Sequence, residues 1–261
     1  MINRYASLRQ GLVGAWCPSA QRCGSGFTLP DLSGYGNNGT LTNMDPGTDW
    51  VASGSGLALD FDGSNDYVTT GLSFSGASKL IISAWIFRPS STSNFYVGCG
   101  AGGSSGPRAN LYINGSTYFL TADKIGGSSY GSVLCSLTGW NNFVYIFDGS
   151  GVDNATRLSA YVNGSKQTLT YVDTIPGTLG NVGVFEIGRS LGQGLYGTGQ
   201  ADDVRIYNRA LTPTEIQQLY TGGRGVGLAQ ERIKHRRKTT AAAAFKAAWA
   251  RRQQHIGSGV Y

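Results

Sequence analysis

Glutamate and histidine are almost missing from this chain. Only Glu186, Glu215 and Glu231 occur among 261 residues, with two His, His235 and His255. Both His fall near the C-terminus, so residues 1–223 cannot build a Ser-His or Cys-His nucleophile pair. No Glu stands two or four residues from another, so no strand face carries two of them. A hydrolase using aspartates alone stays open. No apolar run approaches the roughly 18 residues of a membrane-spanning helix, so no membrane partner is expected. The opening MINRYASLRQGLVGAW has no apolar stretch behind its charges, and no secretory leader is expected. Cysteine is scarce, at four. Cys17 and Cys23 are close enough for a loop disulfide, and Cys99 and Cys135 could meet across strands. Folding in a reducing cytoplasm favours buried free thiols instead. Without secretion, the sequons at Asn38, Asn114, Asn154 and Asn163 mark turns.

What is abundant is glycine, 40 residues, beside 11% aromatics. That pairing suits short strands joined by tight turns, an all-β domain. GLVGAWC (11–17) reads as a strand, followed by a loop from Pro18 to about Thr48. LALDFDGSNDYVTT (57–70) alternates and turns at Asp62-Gly63, which predicts a hairpin. KLIISAWIFRPS (79–90) is apolar on both faces, as a central sandwich strand would be. Residues 98–108 read as a loop. NLYINGSTYFL turns at Asn114-Gly115, and RLSAYVNGSKQ turns at Asn163-Gly164, both hairpin signals. WNNFVYIFDGS, VGVFEIGRS and ADDVRIYNRAL complete the strands. Thr212, Pro213 and Glu215 form a capping box with proline at the first helical position. Ile216, Leu219 and Tyr220 give that helix an apolar stripe, and Gly222-Gly223 end it.

Charge divides the chain in two. Residues 224–261 carry nine Arg and Lys against Glu231 alone, net +8. The whole chain is +6, which leaves −2 for residues 1–223. Two domains are therefore expected: a sandwich over 1–223 and a basic, partly helical tail over 224–261. Alanine-rich sequence from Ala241 to about His255 predicts a tail helix with Phe245 and Trp249 on one face.

Four ordered stretches carry a family resemblance. They are LVGAW with DLSGYGNNGTL; LDFDGSNDYV with LIISAWI; WNNFVYIFDGS with LSAYVNGSKQ; and EIGRS with DDVRIYNRALTPTEIQQLY. Together they resemble the concanavalin A-like LamG/pentraxin superfamily over most of residues 11–221. The resemblance implies a two-sheet antiparallel jelly roll, lectin-like carbohydrate binding and a common Ca²⁺ ligand. One structural Ca²⁺ would be held by loop oxygens from Asp31, Asn37, Asp62, Asp66, Asp202 and Asp203. Turn formation by Asp31 and Asp62 competes with that role. One of Asp202 and Asp203 must point inward if Val204 and Ile206 are core. Tyr35, Trp50, Tyr96, Tyr130 and Tyr196 lie in loops or at strand ends, where sugar platforms occur, but no residue identifies a glycan site. The fold also houses glycoside hydrolases, whose paired carboxylates this sequence lacks.

The basic tail, RIKHRRKTTAAAAFKAAWARRQQ, resembles that of a tailed-phage virion protein. The reading is a non-enzymatic capsid decoration or tail-associated protein, located in the virion and forming a homo-oligomer. Its anchor residues are Arg232, Lys234, Arg236, Arg237, Lys238, Phe245 and Trp249, docking on capsid or tail proteins. Nucleic acid is the second tail partner, and a host-surface or environmental glycan is a partner for the sandwich. The alternatives are a carbohydrate-binding module of a bacterial surface or secreted protein, and a glycoside hydrolase.

Overall fold

Alternating apolar residues turn this chain into strands whose inner faces meet. The computed structural model describes residues 5–20, 26–54, 56–101, 106–123, 129–190, 194–226 and 228. Within them the chain forms β1 (Leu12–Trp16), β2 (Thr28–Leu29), β3 (Gly39–Thr42), β4 (Trp50–Ser53), β5 (Gly56–Asp62) and β6 (Tyr67–Ser73). Next come β7 (Lys79–Arg88), β8 (Phe95–Gly100), β9 (Arg108–Asn114), β10 (Thr117–Ala122), β11 (Tyr130–Leu134) and β12 (Gly139–Asp148). A one-turn helix, α1 (Asn154–Arg157), precedes β13 (Leu158–Val162), β14 (Ser165–Lys166), β15 (Thr170–Val172) and β16 (Val184–Ile187). The order closes with β17 (Arg189–Ser190), β18 (Leu195–Tyr196), β19 (Thr198–Tyr207) and α2 (Pro213–Thr221).

Two antiparallel sheets result. One runs β14-β13-β12-β7-β19-β5-β4, with β1 also paired to β19. The other has nine strands, β15-β11-β10-β9-β8-β16-β6-β3-β2. β17 and β18 form a separate ribbon. β7 lies between β12 and β19, which explains why its sequence is apolar on both faces. The main core lies between the sheets, with Trp16 stacked on Phe185 at 5.6 Å and Phe61 edge-on to Phe95 at 5.3 Å. Arg88 is fully buried among carbonyls, donating to the backbone oxygens of Ser91, Ser93, Gly115, Cys135 and Leu137. One guanidinium fork thereby ties the ends of β7, the β9–β10 turn and the β11–β12 connection.

Several expectations hold in detail. The Asn114-Gly115 and Asn163-Gly164 hairpins form, pairing β9 with β10 and β13 with β14. Helix α2 carries the full capping box. The Asp62-Gly63 hairpin is corrected: β5 and β6 belong to different sheets. Asp62 Oδ1 accepts from the Ser64 and Asn65 amides, an Asx turn that swings the chain across the sandwich instead of folding it back. The long loop after Pro18 contains β2 and β3, and β8 extends into the stretch read as a loop from residue 98.

Helix α2 covers the outer face of the β7-containing sheet. Ile216 and Leu219 pack with Tyr5, Leu8, Leu12, Ile81, Val144 and Tyr207 in a second apolar cluster. That cluster includes Val226 and Leu228, so the body continues past Gly223. The Gly225 amide donates to Asp203, and Arg205 donates to the Val226 carbonyl. Arg224 lies over the Trp140 ring at 4.0 Å and faces Asp202 at 3.7 Å.

Candidate functional site

On the outer face of the nine-stranded sheet the described residues form no second apolar cluster, and the polar side chains there are buried. Ala109, Leu111 and Ile113 of β9 enter the core, so alternation sends Arg108, Asn110 and Tyr112 the other way. On β10, Tyr118, Leu120 and Ala122 point inward, leaving Phe119 and Thr121 outside. Asp123 continues that outward series. Cross-strand register then lines up two rows. Glu186, Gly98, Asn110 and Thr121 sit opposite one another in succession on β16, β8, β9 and β10. Tyr96, Tyr112 and Phe119 form the adjacent row.

The aromatic row is internally stacked. Tyr96 and Tyr112 centroids are 5.9 Å apart, and Tyr112 and Phe119 are 4.7 Å apart and nearly parallel. Tyr130 meets Phe119 edge-on at 5.7 Å. Rings that cover each other's faces stabilise the sheet and present edges and phenol groups outward. Burial pushes the Tyr112 hydroxyl up to about 12, so it stays neutral and both donates and accepts.

The polar row is tightly bonded. Thr121 Oγ1 donates to Asn110 Oδ1 and accepts from the Asn110 amide at 3.2 Å. Gly98 leaves a notch between Glu186 and Asn110. At its φ of +155°, an added Cβ would lie 2.5 Å from the Ala109 carbonyl oxygen, so only glycine fits. Glu186 is 1% exposed and takes a two-point ion pair from Arg189, whose guanidinium lies 3.7 Å over the Tyr67 ring. Tyr196 packs beside Tyr67 at 6.4 Å. At the far end Arg108 Nε donates to Asp123 Oδ2 at 3.0 Å. Asp123 is 0% exposed, and its Oδ1 has no hydrogen-bond partner among the described residues. Burial pushes its carboxyl up to about 6, against the pull of Arg108. The Ser129 amide also favours the ionised form.

The predicted site residues fall elsewhere in part. Asp31 accepts from the amides of Ala15, Ser33 and Asn37 and from the Ser33 hydroxyl. Asn37 donates to the Val13 carbonyl, and its own carbonyl accepts from Trp16 Nε1. Asp66 accepts from the Asp62 amide, and burial pushes it up to about 6. Asp202 and Asp203 do not point into the sandwich core. Asp203 takes a left-handed φ of 49° in the register shift between Asp202 and Arg205. Both side chains then serve the second cluster. Asp202 accepts from the Ser19 and Asp203 amides and the Cys17 thiol, and Arg205 pairs with Asp203 at 2.6 and 2.8 Å. The six residues thus form three pairs held in local bonds, with Asp202 Oδ2 left facing Arg224 at 3.7 Å. Among the described residues no group of three or more His, Cys, Asp or Glu could hold a metal ion. Tyr96, Tyr130 and Tyr196 lie on or beside the outer face, whereas Tyr35 is a 71% exposed loop residue and Trp50 lies on β4 of the other sheet. Cys17, Cys99 and Cys135 are buried free thiols, and Cys23 lies outside the described residues. So do the tail anchors Arg232, Lys234, Arg236, Arg237, Lys238, Phe245 and Trp249. Among the described residues no helix is long and apolar enough to cross a membrane.

Arg108, Asn110, Tyr112, Phe119, Thr121, Asp123 and Arg189 were not singled out from sequence. The signal was present: RANLYIN and TYFLTAD alternate strictly, which leaves a polar and aromatic set opposite the core set.

The fold defines a concanavalin A-like jelly-roll sandwich. The chain belongs to the concanavalin A-like lectin/glucanases superfamily, whose model matches residues 62–217. No curated protein sequence matches it significantly. It is similar to the sialidase of Trypanosoma rangeli, solved with sialic acid, at 16% identity and a TM-score of 0.55 over 81% of this chain and 33% of the sialidase. It is similar to the ligand-binding domain of botulinum neurotoxin serotype D, solved with N-acetylneuraminic acid, at 15% identity and a TM-score of 0.57 over 84% and 52%. The binding domain of paraclostridial mosquitocidal protein 1 shows 16% identity and a TM-score of 0.55 over 82% and 52%. The chain therefore spans a third to a half of those chains. The same fold serves an enzyme and binding domains alike.

Proposed function

We propose that the chain is a non-catalytic carbohydrate-binding module whose glycan face is the outer face of the nine-stranded sheet. The carrying observation is the row of half-buried rings, Tyr112, Phe119 and Tyr130, on a face that also carries Asn110 and Thr121. A polar set of this kind, flanked by aromatic rings, suits hydrogen bonding to sugar hydroxyls. Catalysis by paired carboxylates is disfavoured by distance. Three ladder steps separate β16 from β10 and Asp123 lies two residues beyond Thr121, so the backbones carrying Glu186 and Asp123 lie roughly 16 Å apart at about 4.8 Å per step and 3.3 Å per residue. Glycosidase carboxylates stand about 5–9.5 Å apart. The test is a glycan array with the full chain, followed by titration of Asn110→Ala and Tyr130→Ala. At least about tenfold weaker binding is expected of both, with melting lowered in Asn110→Ala by the lost Thr121 bond and nearly unchanged in Tyr130→Ala. Equal binding by both variants would move the site elsewhere.

We further propose that the basic C-terminal segment attaches this sandwich to a larger protein assembly, a virion capsid or tail. The supporting observation is charge segregation, +8 over residues 224–261 against −2 for the rest. A chain ending at Leu228 is expected to fold but not to join particles. Its normal incorporation would refute the attachment.

A further inference from the structure

We infer that the chain carries a second, separate binding row for a hydroxyl-rich carbohydrate, on the outer face of the opposite sheet. Antiparallel register sets Asp60 of β5 beside Gln200 of β19, Gln200 beside Phe87 of β7, and Phe87 beside Trp140 of β12. Leu59 and Phe61 on β5 and Ile86 on β7 enter the core, so alternation turns Asp60 and Phe87 outward. All four side chains of the row are half-buried, so each keeps a solvent-facing part. The row spans three ladder steps, about 14 Å, the reach of a short oligosaccharide.

The row is bounded by the chain that follows α2. In the neighbouring row Trp85 stacks on Tyr220 of α2 at 6.0 Å, and Asp202 faces Arg224. Arg224 also donates to the Ser53 hydroxyl of β4 and covers the Trp140 ring of β12. Those strands are four ladder steps apart, about 19 Å on a flat sheet, yet one guanidinium touches both. The sheet therefore curls, and this face is concave, as ligand sites are. Phe87 and Trp140 meet at 54° with centroids 5.7 Å apart, so they do not hide each other's faces as the parallel Tyr112 and Phe119 do. Their apolar surface suits the C–H face of a sugar ring. At the other end the Gln200 side chain hydrogen-bonds to the Asp60 carboxylate. An amide and a carboxylate offer more donors and acceptors than that one bond uses, which suits adjacent sugar hydroxyls. The row lies across the sandwich from the rings of β9, β10 and β11, and both faces can be filled at once.

The test titrates cello-, xylo-, manno- and lacto-series tetrasaccharides calorimetrically into the full chain, Gln200→Ala, Asp60→Asn and the double variant Asn110→Ala/Tyr130→Ala. At least one probe should bind at this row, at least about tenfold more weakly in Gln200→Ala and Asp60→Asn and unchanged in the double variant. Where one probe fills both faces, half of the bound probe should go. Asp60→Asn, nearly isosteric, decides alone if Gln200→Ala melts early. Binding unchanged in Gln200→Ala and Asp60→Asn would overturn the inference, as would binding lost only in the double variant, which leaves the ring face standing. Binding lost in Gln200→Ala and kept in the double variant would carry the inference and remove the ring face. Binding of no probe would overturn both.

Discussion

Arg224 is where the structure makes its sharpest energetic statement. Asp202 is fully buried, and burial together with the Asp203 charge pushes its carboxyl up to about 6. Arg224 faces it at 3.7 Å, with both side chains nearly solvent-free. Consider Arg224→Met. Without the guanidinium, Asp202 has lost its compensating charge and stays protonated at higher pH. At pH 8 the wild-type carboxyl, about two units above its pKa, draws roughly 2.7 kcal/mol from ionising in the folded state. That figure bounds the electrostatic loss at pH 8, and the loss vanishes below about pH 6. Loss of stacking on Trp140 and of the 2.7 Å bond to Ser53 adds about 1–2 kcal/mol at any pH. The variant should therefore be destabilised by about 1–2 kcal/mol at pH 5 and by more at pH 8, up to about 4–5 kcal/mol, with the Ser19 bonds to Asp202 keeping part of the difference. Urea unfolding at the two pH values measures both. A destabilisation independent of pH would refute the coupling. The same logic places the limit of the sandwich beyond Gly223. A chain ending there loses Arg224, the Gly225 bond to Asp203 and burial of Val226 and Leu228, each side chain contributing about 1.5–3 kcal/mol. That sum rivals the whole stability of a typical domain. A chain ending at Leu228 keeps all of it and should melt like the full chain.

Stability should rise on mild acidification. Asp66, Asp123 and Asp202 are each raised to about 6, so the folded state binds protons more tightly than the unfolded chain, whose carboxyls titrate near 3.9. Each contributes up to about 3 kcal/mol, fully present below pH 4 and lost as pH rises through 6. Glu215 acts oppositely: Arg209 holds it down at about 2, so its contribution is present above pH 4.5 and lost toward pH 2. The melting temperature should therefore peak near pH 4–5, and a steady fall from pH 7 to pH 5 would contradict these assignments. Gly98→Ala should cost about 1–3 kcal/mol and abolish sugar binding, because its Cβ meets the Ala109 carbonyl at the floor of the face; thermal melts and titration check both. EDTA or added calcium should leave melting unchanged, since Asp31, Asp62, Asp66, Asp202 and Asp203 are engaged in local bonds; a calcium-dependent rise of several degrees would restore the ion.

Local chemistry was readable without coordinates wherever the deciding atoms are close in sequence. The Thr212 capping box, the two Asn-Gly hairpins and the doubly apolar β7 each follow from short-range sterics, caps and period, and all appear as expected. The jelly-roll class followed from four motifs in order. Tertiary structure alone decided the partners of each strand. Asp62-Gly63 has hairpin chemistry, but core burial assigns β5 and β6 to different sheets. Asp202-Asp203 looked like loop ligands until a left-handed bulge turned both onto Cys17, Arg205 and Arg224. The candidate glycan face is the extreme case. Its β9–β10 part, Arg108 to Asp123, is a hairpin that local sequence contains, but Tyr96 and Glu186 join it only through the cross-strand register of β8 and β16, which no local window of sequence contains.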